Sequence, residues 1–540
     1  MCTAVLTALA TGAARCQQVG TYCSAFDVRN YAITLELPDT GADIHATAVL
    51  TVARRGSGDT PVLDLLDLSV NRVTIGGRTA SFTRGVASIA IPLPHGRGRK
   101  NTYSVTVDYG GMVKDGLIVR TDSAGRWTYF GDNFPDRARH WIPSIDRPSD
   151  KATVTWLVRA PTGRTVVANG ELVAMRAIHD EHGADRVEWE WRESRPIPVY
   201  LMVIAAAPLE RFDLADADCG FAELERCVPQ SVYTTPELRS KMPGSLARVP
   251  NIVRFFARLV GSFPYEKLAH VQSSTRFGGM ENASAIFYSD AAFRHQSMGD
   301  DLIAHEIAHQ WFGDAVTERD WAHLWLSEGF ATYFATLWTR ASRGDGAFRA
   351  QMAAMRQAVL MDTIAVIKRP VIDTMETNYL SLLNHNSYEK GGFVLQMLRA
   401  RVGGHAFFIA IRSYYAKHRN ATVLTDDLRS EMEHVSKQRL KWFFDKWLRR
   451  PGYPEVTARW SYDASAHEVD VAVTQTSRFG MFKFPLTIQV VDSADLRHRA
   501  VLEMPAASMR QVRIGLASPP LRVDLDPNVE LLAALRVVRQ

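Results

Sequence analysis

Two histidines four positions apart, His305 and His309, constrain the fold of this chain more than any other feature. Residues at this spacing lie on one face of an α-helix, where both imidazoles can bind one metal ion. Glu306 stands between them and points away from the shared face, so it is placed to act as a base. A further carboxylate, Glu328, follows nineteen positions after His309. The pattern requires two neighbouring helical segments that converge on one cation.

The surroundings of this pattern predict a buried metal site. Apolar residues flank the histidines and Glu328 on both sides. A surface helix with solvated histidines is the alternative, but buried imidazoles and carboxylates need a partner, which a metal supplies. Two imidazoles and one carboxylate with an open fourth position are the ligand set of catalytic zinc. We therefore expect Zn²⁺, one per chain, held by His305, His309 and Glu328, with Glu306 as general base of a peptidase.

Length and composition limit the remaining possibilities. A chain of 540 residues exceeds one hydrophobic core, so roughly three or four domains are expected. Its 46% hydrophobic and 22% charged residues are those of an ordinary globular protein. A net charge of +5 without a dense block of like charges makes nucleic acid an unexpected partner. No apolar run has the length of a membrane span.

Hydrophobic periodicity divides the chain into three stretches. Residues 26–208 alternate apolar and polar positions, as strands do. From about Thr234 the periodicity is helical, and it predicts helices over 236–260, 300–312 and 323–340, with a strand over 267–277. Alternation returns after the breaker Pro451-Gly452-Tyr453-Pro454 and predicts a small β-sandwich. The chain is therefore expected to be an α+β multidomain protein.

Four ordered motifs resemble those of a known family, the gluzincin zinc aminopeptidases that include aminopeptidase N and leukotriene hydrolase. The motifs are Gly278-Gly279-Met280-Glu281-Asn282, His305-Glu306-Ile307-Ala308-His309, Trp325-Leu326-Ser327-Glu328-Gly329 and Tyr388-Glu389-Lys390-Gly391-Gly392. The resemblance extends over most of the chain from about Phe26. Together, in this order and spacing, the motifs are far more specific than any one of them.

The resemblance implies a role for each motif. Glu281 would bind the free α-amine of a peptide, which would make the protein an exopeptidase. Gly278, Gly279 and Met280 would contact the substrate backbone, and Tyr388 would donate a hydrogen bond to the oxyanion. The implied reaction is hydrolysis of the amino-terminal peptide bond by a zinc-activated water.

The resemblance also implies a domain plan. We expect a possible leader or disordered terminus over 1–22, an amino-terminal β-sheet-rich domain over 23–212, a thermolysin-like mixed α/β catalytic domain carrying the zinc helix over 213–450, and a carboxyl-terminal β-sandwich over 451–540. Longer members carry a large helical domain after this point. We expect a short form without it, whose open cleft admits longer peptides.

Several alternatives stay open at this stage. One alternative is a thermolysin-type zinc endopeptidase, which would not need Glu281 to bind an amine. Another is a non-catalytic peptide-binding scaffold, which would usually have lost a metal ligand or the base. A third is an epoxide hydrolase activity at the same site. Many family members have a second Gln or Glu that reaches the amine, whereas this chain offers only Asp132 or Asn133 there. The oligomeric state is not predicted.

The prediction of the cellular compartment depends on two features of the sequence. Residues 1–14 are small and mildly apolar, which favours a periplasmic or secreted protein over a cytoplasmic one. Cys219 and Cys227, eight positions apart, either form a loop disulfide or remain free thiols.

Overall fold

The computed structural model describes residues 25–94, 101–214, 227–241, 244–295 and 298–540. The predicted leader and Cys219 lie outside these ranges. No helix within them is both long and apolar enough to cross a bilayer. The described residues form a mixed α/β protein that begins with extensive sheet, as the alternation predicts.

The amino-terminal sheets are built from long strands with one buried face. The strands are β1 Phe26–Glu36, β2 Asp43–Arg54, β3 Val62–Asp64, β4 Ser69–Ile75, β5 Arg78–Thr79, β6 Thr83–Arg84, β7 Ser88–Ala90, β8 Thr102–Met112, β9 Leu117–Thr121, β10 Trp127–Gly131, β11 Lys151–Pro161, β12 Thr165–Ala168, β13 Glu171–His179, β14 Asp185–Pro198 and β15 Ile204–Ala207.

The largest of these sheets has the order β13-β14-β11-β1-β2-β8-β4-β5. Every second residue of β11 is buried, which is the period-two pattern of a strand with one solvated face. A second sheet, β12-β15-β10-β9, ends near the cleft described below. The three remaining strands form a small separate sheet with the order β3-β7-β6.

The middle of the chain combines a sheet with helices. Its strands are β16 Glu210–Asp213, β17 Gln230–Thr234, β18 Leu268–Ser273, β19 Gly279–Met280, β20 Ala285–Ser289, β21 Val316–Glu318 and β22 Ala421–Val423. Its helices are α1 Val249–Val260, α2 Asp290–Arg294, α3 Asp300–His309, α4 Trp325–Met361, α5 Ala365–Lys368, α6 Gly391–Val402, α7 Gly404–His418, α8 Thr425–Ser436 and α9 Lys441–Leu448. The sheet order is β16-β17-β18-β20-β19, so β19 is an edge strand.

Several helix and strand limits differ from those predicted. The helix α1 begins at Val249 rather than at residue 236, because Pro250 fits only the first turn of a helix. The strand β18 ends at Ser273 rather than at residue 277. The helix α4 continues beyond residue 340 to Met361, with a break at Gly344, where φ is 86°.

The last part of the chain is again sheet. Its strands are β23 Glu455–Asp463, β24 Glu468–Gln475, β25 Phe484–Asp492, β26 Arg497–Met504, β27 Met509–Gly515, β28 Pro520–Leu525 and β29 Ala534–Arg539. They form one sheet with the order β27-β24-β23-β29 and another with the order β26-β25-β28. Alternate residues of β24 are buried, so the apolar faces supply a core.

Candidate metal centre

The three predicted metal ligands converge at one point between α3 and α4. The Nε2 atoms of His305 and His309 lie 3.0 Å apart. Glu328 Oε2 lies 3.2 Å from the Nε2 of His305 and 3.4 Å from that of His309. A tetrahedral zinc ion with bonds of about 2.0–2.2 Å holds its ligand atoms roughly 3.3–3.5 Å apart. The side chains present therefore fit a zinc ion.

The ring of His309 is fixed by hydrogen bonds on its other nitrogen. Its Nδ1 lies 3.2 Å from the carbonyl oxygen of Phe312 and 3.0 Å from Ser327 Oγ. Because a carbonyl oxygen only accepts, Nδ1 carries a proton, and Nε2 faces the other two ligands. Gly313 makes room for this arrangement, since a Cβ there would lie 2.3 Å from Ser327 Oγ.

Buried negative charge dominates the electrostatics of the centre. Burial would raise the pKa of Glu328, but the neighbouring histidines lower that pKa to about 2. Burial lowers the pKa of His305. For His309, Glu281 and Glu328 outweigh burial and raise its pKa well above the ordinary value. The centre therefore attracts positive charge, as a cation site must.

Glu306 lies on the adjacent face of α3, with its carboxylate against Gly279 of β19. A Cβ at Gly279 would lie 2.3 Å from Glu306 Oε1, so only glycine leaves room for this carboxylate. Burial raises the pKa of Glu306 well above its ordinary value, opposed by His309 and helped by Glu281. A carboxylate with a raised pKa accepts a proton more readily, as a general base must.

Glu281, from the loop between β19 and β20, reaches the same centre. One oxygen of Glu281, one of Glu306 and a ring nitrogen of His309 all lie within 4.8 Å of one another. Burial raises the pKa of Glu281; the charge of His309 opposes this shift, and that of Glu328 adds to it. This cluster does not include His305, so Glu281 lies at the His309 side of the metal ligands.

Two residues that the sequence analysis did not single out hold the loop of Glu281 in place. Gln310 donates from Nε2 to the carbonyl oxygen of Glu281 at 2.8 Å. From the opposite side, Asn169 donates from Nδ2 to the carbonyl oxygen of Ala283 at 2.8 Å. Gln310 directly follows His309, so its position next to the predicted metal ligand could have marked it. Nothing local in the sequence marks Asn169, because its contact with Ala283 joins residues far apart in the chain.

Tyr388 lies in the π-helical turn Asn386–Lys390 that leads into α6. Its ring lies parallel to that of His305, with 5.9 Å between centroids. Two glycines let this turn approach α4: a Cβ at Gly329 would lie 2.8 Å from the carbonyl carbon of Gly391. Burial, followed by the charge of Glu328, raises the pKa of Tyr388 well above its ordinary value, so the phenol keeps its proton and remains a donor.

A cleft of about 420 Å³ passes over all these side chains, within the usual size range of small-ligand sites. Gly278, Gly279 and Met280 line it together with the metal ligands, Glu281, Glu306 and Tyr388. Because β19 is an edge strand, its free backbone groups can pair with an extended peptide.

Asp132 and Asn133 have other partners than the cleft. Asn133 accepts a hydrogen bond from Trp141 Nε1 at 2.7 Å and donates to a backbone carbonyl at 2.7 Å. Asp132 pairs with Arg137 at 3.1 Å. Of this segment, Phe134 lines the cleft, and Asp132 and Asn133 are not among the lining residues.

The fold and the centre define a mixed α/β metalloprotein whose cation site lies between two helices and beside a sheet edge. Residues 29–201 match the model of the peptidase M1 N-terminal domain, and residues 247–447 match the peptidase family M1 domain. The chain belongs to peptidase family M1, the gluzincin aminopeptidases.

Similar proteins cover most of this chain. The aminopeptidase N of Streptomyces lividans is 27% identical over 83% of the chain and 53% of its own length. The leucyl aminopeptidase of Saccharolobus solfataricus is 24% identical over 80% of the chain and 55% of its own length. The chain thus spans about half the length of these curated relatives. A solved M1 zinc metallopeptidase from Deinococcus radiodurans has a TM-score of 0.66 at 25% identity, covering 77% of this chain and 93% of its own.

Proposed function

We propose that this protein is a zinc-dependent aminopeptidase that hydrolyses the amino-terminal peptide bond of peptides. The observation that carries the proposal is the buried negative charge of the cleft. Three carboxylates, Glu281, Glu306 and Glu328, are each at most 6% exposed in one cleft, where isolated negative charges are costly. A divalent cation on one side and a substrate ammonium on the other would balance them.

Each residue has one role in the proposed reaction. His305, His309 and Glu328 would hold one zinc ion per chain, which when bound supplies a Lewis acid that polarises the scissile carbonyl. Glu281 binds the α-amine of the peptide. Glu306 accepts the proton of the attacking water and passes it to the leaving amine.

The remaining predicted residues orient the peptide and stabilise charge. The phenol of Tyr388 donates a hydrogen bond to the oxyanion, a contribution of roughly 2.7–4 kcal/mol to the transition state. Gly278, Gly279 and Met280 pair with the peptide backbone along β19. Because Glu281 lies at the His309 side, the bond after the first residue falls over the metal ligands.

We also propose that the chain divides into a sheet-rich unit over 23–212, a thermolysin-like catalytic unit over 213–450 and a β-sandwich over 451–540. The described sheets support this plan, since their strands separate at about these positions. The strand β16 crosses the first proposed boundary, since it pairs with β17 of the catalytic unit.

The test combines metal removal with a blocked amine. Purified protein is assayed with leucine fluorogenic amide before chelation, after chelation by 1,10-phenanthroline, and after adding zinc, with metal analysis alongside. We expect activity to vanish with the metal and to return with zinc. Acetylation of the substrate amine should abolish cleavage, because Glu281 then lacks its ammonium partner.

Two results would contradict the proposal. Full turnover by demetallated protein would exclude zinc chemistry. Cleavage of acetylated peptides at internal bonds would identify an endopeptidase instead.

A further inference from the structure

The cleft has an end opposite Glu281 that the proposed reaction does not use. It is formed by residues of α3 and α4, which we call the far wall: Asp301, Leu302, Thr332, Ala335 and Gln351. Gln351 reaches the cleft because the break at Gly344 lets the second half of α4 return towards the first. The far wall lines the same cavity as the metal ligands.

The arrangement of the two helices places the far wall beyond the metal ligands. Glu328, in the first turn of α4, faces His309 at the end of α3, whereas Thr339 donates from Oγ1 to Asp301 Oδ1 at 2.9 Å at the start of α3. The helices therefore run antiparallel here. Asp301 precedes His305, the nearer of the two histidines, by four residues, which is about one helical turn or 6 Å.

A spacing of one helical turn places the far wall within reach of the substrate side chain that is nearest to the metal ligands on that side. An extended peptide advances about 3.3 Å per residue. If the amine lies at Glu281 and the scissile carbonyl at the metal ligands, the side chain that follows the scissile bond faces the far wall. The far wall would thus contact the second residue of the peptide.

The far wall is apolar at its base and lacks a positive partner at its rim. Leu302 and Ala335 supply the apolar base. Asp301 has no ion-pair partner among the residues that the structure describes, and only Thr339 donates to it. Gln351 Oε1 is a buried acceptor that receives no hydrogen bond from the described chain. A bound cation would supply the missing partner of Asp301.

The neighbouring carboxylate shows that this lack of a partner is specific to Asp301. Asp300 is buried and pairs with Arg248 and, at 3.7 Å, with Arg343. It does not line the cleft. The two adjacent aspartates therefore differ in their role: one stabilises the start of α3, and the other faces the substrate.

We propose that the far wall selects peptides whose second residue is lysine or arginine. The aliphatic stem of such a side chain packs on Leu302 and Ala335, and its terminal cation reaches Asp301. This inference rests on the proposed aminopeptidase function. Because Asp301 is exposed to solvent, we expect a preference of roughly three- to tenfold rather than a strict requirement.

The test compares three tripeptides, Leu-Lys-Ala, Leu-norleucine-Ala and Leu-Glu-Ala, with the zinc-loaded full chain. Norleucine keeps the stem of lysine and removes its charge. We expect kcat/KM for leucine release to be highest for the lysine peptide and lowest for the glutamate peptide. The ratio of lysine to norleucine should fall towards one at high salt, since an exposed charge pair is screened.

Two variants separate the far wall from general damage. Asp301→Asn should bring the lysine-to-norleucine ratio close to one, whereas Asp300→Asn, the matched control, should keep it. A ratio of one or less in the unchanged protein, or an unaltered ratio in Asp301→Asn, overturns the inference.

Failure of the proposed function gives a different result. If none of the peptides releases leucine, the aminopeptidase proposal is wrong. Calorimetric binding of the lysine and norleucine peptides to Glu306→Gln then tests the far wall without turnover: tighter binding of the lysine peptide supports it, and equal binding overturns it.

Discussion

At the scale of single residues, Glu306 separates metal binding from proton transfer. Its carboxylate is outside the ligand triangle of His305, His309 and Glu328. Glu306→Gln should therefore keep the metal but lower kcat by about a hundredfold or more, because general base catalysis contributes that much. Metal content and kcat, measured on the same preparation, check this. An unchanged rate in a metal-loaded variant would remove Glu306 from the mechanism.

His270 makes a second prediction at this scale, about pH and stability. Burial lowers the pKa of this imidazole from 6.5 to about 3, and its Nε2 has no partner among the described residues. Below pH 6.5 this histidine becomes protonated in the unfolded chain but stays neutral in the folded chain. The free energy of unfolding therefore falls as the pH falls. The loss is up to about 1.4 kcal/mol per pH unit.

His270→Phe tests this directly, because the ring stays stacked near Tyr288 but cannot titrate. We expect the melting temperature of the variant to fall less between pH 7 and 4.5 than that of the unchanged protein. The exposed His182, replaced by Asn, is the matched control and should leave the pH dependence intact. Equal pH dependence of His270→Phe and the unchanged protein would contradict the assignment.

At the scale of elements, β19 lies so close to α3 that Gly278 and Gly279 differ in the space available for a side chain. A Cβ at Gly279 would lie 2.4 Å from the carboxyl carbon of Glu306, whereas a Cβ at Gly278 would meet nothing within 4 Å. Gly279→Ala should displace the flexible Glu306 side chain and lower kcat by about a hundredfold with little loss of stability. Gly278→Ala should lower it far less. Similar kcat values for both would show that the base is not positioned by β19.

The same scale shows which elements local sequence could predict. The spacing of His305 and His309 predicts a helix face directly, because helix geometry fixes residues four apart. The predicted end of the helix that carries Glu328, at residue 340, was wrong: the chain turns at Gly344, and the helix resumes and continues to Met361. Met352 and Met355 of the second half are buried, and Met355 lies close to Gly392 of α6, a contact that periodicity within one segment does not predict.

At the scale of the whole molecule, the sheet-rich amino-terminal part contacts the segment that follows the metal-binding helix α3. Lys151, at the start of β11, donates to the carbonyl oxygens of Asp314 at 2.8 Å and Ala315 at 2.9 Å, just after the metal-binding helix. Such contacts join residues more than a hundred positions apart. Sequence reasoning could not predict them because the partners lie far apart in the chain, and the family motifs likewise marked Glu281 and Tyr388 without showing what holds them.

Asn169 provides the sharpest test of this support. Its amide accepts from the backbone N–H of Val203 at 2.7 Å and donates to the carbonyl oxygens of Leu201 and Ala283. Asn169→Ala leaves buried groups unpaired, at a cost of about 1–3 kcal/mol each, and frees the loop of Glu281. We expect KM for free-amine peptides to rise several-fold while the metal content stays unchanged.

The matched control is Asn30→Ala, which removes a side-chain hydrogen bond to Thr153 within the largest sheet and does not touch the loop. It should lower stability without raising KM. If both variants lose stability and neither changes KM, the amino-terminal part is only a structural platform. A rise in KM confined to Asn169→Ala would instead support a role of the amino-terminal part in positioning Glu281, since among the described residues the contact of Asn169 with Ala283 is the one that holds the loop of Glu281.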